Sequence, residues 1–227
     1  MCGVVVRNIN RADPDVISGL GSAGVATVHE AADQTGLLPP LIRPIQDGVS
    51  IAGSAVTVWC PPGDNMMIHA AVEVVRPGDV VMVAVKEPST HGMFGELLAT
   101  SFQARGCRGL IIDAAVRDVS ELRKMQFPVW SRAVHARGTV KETAGSVNVP
   151  VIIGDQTVNP GDVVVADDDG VVVIERDRAG DVLESSRERL AREETVRKRL
   201  RNGELGVDFY GFRERLERLG VRWVEDV

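Results

Sequence analysis

From residue 49 to about residue 130 the chain alternates Val- and Ile-rich runs with segments of helical pattern, and few architectures accept that order. "VSIAGSAVTVWC" (49–60) reads as a strand region and "PPGDNMMIHAAVEVV" (61–75) as a turn and helix. "RPGDVVMVAV" (76–85) reads as a turn and strand, punctuated at Pro77–Gly78. A helix is expected over "GELLATSFQARG" (95–106), ending at Gly106, then a strand over "RGLIID" and a short helix over "VSELRKMQ" (119–126). The class is therefore α/β. Ahead of this block, residues 13–36 look mainly helical. There "TVHE" (27–30) reads as a capping box in which Thr27 accepts a backbone N–H and Glu30 reaches back. After it the chain turns strand-rich through "FPVWSRAV" and "NVPVIIG". Residues 159–176 read as a hairpin turning at Asp167–Gly170. Residues 177–201 read as one long charged helix, and 208–227 as a short helix and end segment. "PGD" occurs at 62–64, 77–79 and 160–162, but the flanks share no fixed period, so these read as three separate turns.

Composition narrows the function classes. With 227 residues, 44% of them hydrophobic, the chain suits one large domain or a domain with an added helical arm. No apolar run is long enough for a membrane span, and "MCGVVVRNIN" lacks the order of a signal peptide. Cys2, Cys60 and Cys107 are odd in number and far apart, which fits neither a disulfide framework nor a zinc cluster. His29, His69, His91 and His135 show no zinc-ligand spacing either. A cytoplasmic protein is expected. The net charge of −6 argues against a nucleic-acid footprint, although arginine is dense near 187–201.

Two motifs carry chemistry. "GLGSAG" (19–24) satisfies the dinucleotide pattern G-x-G-x-x-G, but the preceding "RADPDVIS" is not a strand. A glycine-rich loop between two helices is the expectation, and a methyltransferase reading fails with it. The other motif begins where "GLIIDAAVRDV" (109–119) drives an apolar run into Asp113, Arg117 and Asp118, although buried charge is costly unless paired or bound to a metal. Upstream, Gly95 and Glu96 open a helix after "STHGMF", which reads as flexible. The N–H groups of Leu97 and Leu98 then lack intrahelical partners and suit a carboxylate or phosphate. Arg117 can grip an anion with its fork, and Asp118 and Glu96 are hard oxygen ligands suited to Mg²⁺ or Mn²⁺. The alternative is a surface pair of Arg117 and Asp118 with Asp118 capping the helix at 119.

"GELLATSFQARGCRGLIIDAAVRD" resembles the signature of the class II pyruvate aldolases that act on 4-hydroxy-4-methyl-2-oxoglutarate and 4-carboxy-4-hydroxy-2-oxoadipate, a group in the family of the regulator of ribonuclease activity A. The motif is an acid, twenty residues and Arg-Asp, here Glu96, 97–116 and Arg117–Asp118. The likeness extends through "RNINRAD", "ATVHEA", "PGDNMMIH", "FPVWSRA", "GSVNVPV", "PGDVVVADDDGVV" and "NGELGVDFY". The aldolases commonly carry Asp where this chain has Glu96. The regulator branch typically lacks the aspartate after the arginine, so Asp118 favours an enzyme over a non-catalytic ribonuclease-binding regulator.

The resemblance implies a three-layer α/β/β sandwich like the phosphohistidine swivelling domain, with a core over 1–176 and a C-terminal helical arm over 177–227, assembled as a trimer or hexamer. It implies retro-aldol cleavage of 4-carboxy-4-hydroxy-2-oxoadipate to pyruvate and oxaloacetate in aromatic acid catabolism, with oxaloacetate decarboxylation as a side activity. It implies an Mg²⁺ or Mn²⁺ ion held directly by Asp118, and through water by Glu96 and Glu193. Arg117, Gly95, Glu96 and the amides of Leu97 and Leu98 would bind the oxo acid, with Glu30, Asn65, His69 and Lys141 lining the pocket. For Glu193 the pattern adds an argument. Val182, Leu183, Leu190 and Leu200 define an apolar face of the helix, and Glu193 projects near its middle whereas Glu194 is nearer the edge. The competing reading pairs Glu193 with Arg197 at i+4. In the aldolases a glutamate here comes from the neighbouring subunit.

Overall fold

Strands β2 (Ile51–Cys60), β3 (Asp79–Val85) and β5 (Gly109–Val116) lie parallel in the middle of the sheet, nearly every residue buried. Side chains alternate across a strand, so each feeds two cores. From β3, Val81, Val83 and Val85 enter one core while Val80, Met82 and Ala84 enter the other. The computed structural model describes residues 3–87 and 89–225.

The remaining strands are β1 (Arg43–Pro44), β4 (Ser89–Phe94), β6 (Val129–Val134), β7 (Ser146–Val147), β8 (Val151–Ile153), β9 (Gln156–Val158), β10 (Val163–Asp167) and β11 (Gly170–Ile174). The helices are α1 (Pro14–Ala23), α2 (Val25–Ala31), α3 (Met66–Ala71), α4 (Glu96–Gln103), α5 (Val119–Lys124), α6 (Ala179–Arg201), α7 (Gly206–Phe209) and α8 (Phe212–Arg218). The main sheet runs β1-β6-β5-β3-β2-β10-β11, with β4 added on β5 and β7 on β2. Helices α3, α4 and α5 cover one face through Met67, Ile68, Leu98, Phe102 and Leu122. The β8–β9 hairpin covers the other through Val151, Ile153 and Val158, giving an α/β/β layering. A third cluster packs Ile17, Leu20 and Val28, with Val182 and Leu183 from the start of α6, on β10 and β11.

The chain divides into two compact units, Met1–Ser186 and Arg187–Val227, so the first unit reaches ten residues past the expected boundary at 176 because α6 begins by packing into it. Within the second unit, Tyr210 stacks on Phe212 and meets Phe209 at a 55° tilt, and Arg199 lies over the Phe209 ring. No helix among the described residues is long and apolar enough to cross a membrane.

Each of the three "PGD" turns puts its glycine at positive φ and presents a buried carboxylate to backbone N–H groups. Asp64 accepts from Met66, Glu142 and Thr143, Asp79 from Arg76, and Asp162 from Asn159 and Arg176. Asp79 is further paired with Arg11 at 2.7 Å. The same buried-charge logic accounts for Asp113 on β5, which is 6% exposed and paired with Arg132 on β6 at 2.5 Å.

Three local expectations and one competing reading are corrected. Thr27 lies inside α2, whose N-cap is Gly24. The Val25 N–H donates to Asp167 of the β10–β11 turn, so no capping box forms. "GLGSAG" is not a loop, because all but Gly24 belongs to α1. Its glycines serve packing, since a Cβ on Gly19 would lie 2.7 Å from Leu183 and one on Gly21 2.8 Å from Ala52. "STHGMF" is strand β4, held parallel to β5 with register shifts at Ser89/Gly92 and Gly92/Phe94. Glu193 pairs backwards with Arg189 at 2.9 Å, while Arg197 takes Glu194.

Candidate active site

The C-terminal end of β5 is held on both sides before it reaches the motif. The Arg117 N–H donates to Phe94 O of β4 at 2.9 Å, and the His135 N–H, just past β6, donates to Val116 O at 2.9 Å. Gly92 leaves room for this arrangement: a Cβ there would lie 2.5 Å from His135 O and 3.1 Å from Arg117 Cβ. Asp118 follows in the left-handed region, at φ 57°. It stands at the cap position of α5 but its side chain makes no capping bond, which removes the reading of Asp118 as a helix cap. Its carboxylate turns instead toward α4, where Oδ2 accepts the Glu96 N–H at 3.2 Å. The Arg117 Nε lies 3.8 Å from the same oxygen, both side chains being partly exposed.

Helix α4 opens at Gly95, and its first helical bond is Ala99 N–H to Gly95 O. The N–H groups of Leu97 and Leu98 therefore have no helical acceptor. A Cβ on Gly95 would fall 2.3 Å from Asp118 Oδ2, so only glycine lets the two segments meet this closely. Leu98 is buried in the core while Leu97 is 78% exposed at the rim.

Across from this edge lies the start of α3. Asn65 donates from Nδ2 to Met93 O at 2.9 Å, and its buried Oδ1 has no partner among the described residues. Such an orphan acceptor is costly unless a ligand or water supplies a donor. Lys141 stands on the segment 135–145, which meets the Gly63–Asn65 turn through the Val140–Asp64 bridge. Burial, and then the Lys141 charge, hold the His69 pKa below its ordinary value. Burial pushes the Asp64 carboxyl up, but its backbone hydrogen bonds outweigh this and leave it below the usual carboxylate value.

These pieces enclose a cavity of about 140 Å³, lined by Asn65, His69, Gly92, Met93, Phe94, Gly95, Leu97, Leu98, Arg117, Asp118 and Lys141. Eight residues named from the sequence meet there: Asn65, His69, Gly95, Leu97, Leu98, Arg117, Asp118 and Lys141. Glu96 is adjacent rather than lining, with its carboxylate accepting from Thr100 Oγ1 at 3.1 Å. Glu30 is on α2, where it accepts from Gln34 at 3.4 Å, and is not part of the lining. Glu193 belongs to the second unit. Gly92, Met93 and Phe94 line the cavity without being expected from the sequence, where "STHGMF" reads as flexible. No alternation in "HGMF" marks a strand, because Gly92, Met93 and Phe94 are all buried on a strand covered on both sides.

Among the described residues no three His, Cys, Asp or Glu side chains gather to hold a metal ion. The donor set fits a magnesium-type ion nonetheless, because such ions take one or two carboxylates and fill their shell with water and substrate oxygens. Asp118 is a partly exposed carboxylate at the cavity wall, with room for that role. The buried thiols of Cys60 and Cys107 are pushed up to about 12 by desolvation, so neither is a thiolate ligand. Cys2 lies outside the described residues.

A mixed α/β fold with a cavity at the joined ends of β4 and β5 defines the class, and comparison with known proteins names it. The family model "RraA-like: Aldolase/RraA" matches residues 25–173, and the chain belongs to that family. A Halalkalibacterium halodurans protein named "Putative 4-hydroxy-4-methyl-2-oxoglutarate aldolase" is 26% identical over 89% of this chain and 96% of its own length. A Burkholderia multivorans protein of the same name is 33% identical over 63% of this chain and 87% of its own. Among solved structures, Streptomyces coelicolor RraAS2, described as an unusual member of the RNase ES inhibitor RraA protein family, superposes with a TM-score of 0.74. It is 28% identical over 83% of this chain and all of that one.

Proposed function

We propose that the protein is a divalent-metal-dependent aldolase that cleaves 4-carboxy-4-hydroxy-2-oxoadipate to pyruvate and oxaloacetate, and 4-hydroxy-4-methyl-2-oxoglutarate to two pyruvates. Oxaloacetate decarboxylation is a side activity, because it passes through the same pyruvate enolate. One observation carries this reading: the free amides opening α4 and the Arg117–Asp118 pair ending β5 line one cavity.

The Leu97 and Leu98 N–H groups bind the carboxylate beside the keto group, where the helix end favours an anion. The Arg117 guanidinium stands beside the keto oxygen and offsets the negative charge that grows there as the C3–C4 bond breaks. Asp118 would hold the ion, with Glu96 and Glu193 of the partner subunit as further carboxylates near it. A bound Mg²⁺ or Mn²⁺ supplies Lewis acidity toward the 2-oxo acid. Glu96 and Glu193 of the partner subunit would take up the C4 hydroxyl proton by way of an intervening water, the proton ending on one of the two carboxylates. Lys141 is complementary to a second carboxylate, and Asn65 Oδ1 offers an acceptor to a substrate hydroxyl.

The test is pyruvate release from the carboxy- and methyl-substituted substrates, followed with a lactate dehydrogenase couple, with Mg²⁺ or Mn²⁺ and after chelation. Release that is lost with chelator and restored by metal is expected. No release from either substrate with either metal overturns the aldolase and leaves the ribonuclease-regulator reading, which an inhibition assay on a purified ribonuclease then addresses.

A further inference from the structure

The wall of the cavity that carries Lys141 has no ladder of its own. Residues 135–145 form neither helix nor strand apart from the single bridge of Val140 to Asp64. What fixes Lys141 is on its two sides. Before it, the Val140 N–H donates to Gly63 O at 3.0 Å, and Val140 O accepts the Asn65 N–H at 3.2 Å. After it, the N–H groups of Glu142 and Thr143 both donate to Asp64 Oδ2, at 2.7 and 2.6 Å. The other oxygen of the same carboxylate, Oδ1, accepts the Met66 N–H at 2.9 Å in the first turn of α3, the helix that bears His69. Asp64 is 2% exposed, so water does not substitute for these donors.

We infer that Asp64 is a positioning residue that fastens the 140–143 segment to α3 and so holds Lys141 where the far carboxylate of the substrate binds. This rests on the reading of the cavity as a site for 2-oxo acids that carry at least one further carboxylate. The two oxygens serve two different elements, and a side-chain amide cannot replace them. In Asp64→Asn one orientation turns the NH₂ toward Met66 N–H and the other turns it toward Glu142 and Thr143, so either tether is lost and two donors face each other.

The experiment compares wild type, Asp64→Asn, Lys141→Ala and the double variant. Hydrogen exchange over 140–145 should rise in Asp64→Asn without any substrate present. KM for 4-hydroxy-4-methyl-2-oxoglutarate should rise about 10-fold, with kcat falling far less, since a contact equal in ground and transition states acts on KM. The inhibition constant of pyruvate, which has no second carboxylate, should stay at the wild-type value. The double variant should be no weaker than Lys141→Ala, because both changes remove one function. Where Asp64→Asn does not fold, Thr143→Pro, which deletes one donor and keeps the carboxylate, carries the same expectations. Unchanged exchange in an active enzyme overturns this inference alone, as does a KM increase matched by weaker pyruvate inhibition. A wild-type protein that releases no pyruvate overturns the reading beneath it, and this inference with it.

Discussion

The main-chain N–H of Glu96 donates to Asp118 Oδ2 across 3.2 Å, which makes the first turn of α4 and the turn after β5 one assembly. The close approach depends on Gly95, whose extended backbone any residue can adopt but whose missing Cβ leaves 2.3 Å to that oxygen. Gly95→Ala should therefore displace Asp118 rather than disturb the fold. The expected result is a loss of about 10- to 100-fold in turnover, the range for disturbed ligand positioning, with the thermal midpoint close to wild type. Full turnover in a folded Gly95→Ala enzyme would show that Asp118 need not sit where it does.

Asp118 itself should be indispensable. Because it occupies the left-handed region, Asp118→Ala adds a backbone cost of about 1–2 kcal/mol that has nothing to do with chemistry. Asp118→Asn avoids most of that cost, since asparagine tolerates this conformation. Both variants should fold by circular dichroism and neither should cleave substrate. Near-normal cleavage by purified, metal-supplemented Asp118→Asn sinks the assignment.

Much of this neighbourhood was legible in the sequence, and the reasons differ by residue. Arg117 and Asp118 were visible because a strand-like run ending in charge contradicts burial, and α4 because its apolar positions recur with helical period. Gly92 and Asp64 were not, because their parts depend on partners 43 or more positions away, at His135, Glu142 and Thr143, which no local pattern reports. The capping box failed for a similar reason. Asp167, 142 positions from Val25, supplies the acceptor at the helix start. The α/β class followed from alternation, but the layering of the β8–β9 hairpin on the sheet did not.

The Glu193 proposal predicts complementation. Asp118→Ala and Glu193→Ala homo-oligomers should each be inactive or severely impaired. After dissociation and joint reassembly, some sites draw both intact residues from different chains, and activity should partly return. No recovery, with mixed oligomers proven by mass spectrometry, means that Glu193 serves its own chain or no site. In the single chain its partner is Arg189, so Arg189→Ala separates that ion pair from the effect.

Two histidines set a pH trend in stability. Burial, with the charges of Arg137 and His135, holds the pKa of His91 below the ordinary 6.5, and burial with the charge of Lys141 does the same for His69. As pH falls through 6.5 the unfolded chain takes up these protons before the folded one does, so stability should decline toward acid and be fully present above that value. Urea unfolding from pH 7.5 to about pH 5 should show the decline, and the His69→Gln/His91→Asn double variant should flatten it. Parallel slopes in variant and wild type contradict the assignment.

The cavity is walled by two materials. On one side β5 is laced to β3, β4 and β6, and the chemistry sits at the end of that rigid cable. On the other, residues 135–145 carry no ladder: Val140, Glu142 and Thr143 are pinned to the Gly63–Asn65 turn by main-chain bonds and by the Asp64 carboxylate, and His135 and Arg137 are tied to Val116 and Gly92. A protein engineer can therefore treat the stretch after Arg137 as an exchangeable cassette: as long as its anchor points to residues 63–65 are copied and the bonds of His135 and Arg137 to Val116 and Gly92 are kept, its length and side chains can be rewritten to admit oxo acids with other tails, while the bond-breaking end remains untouched.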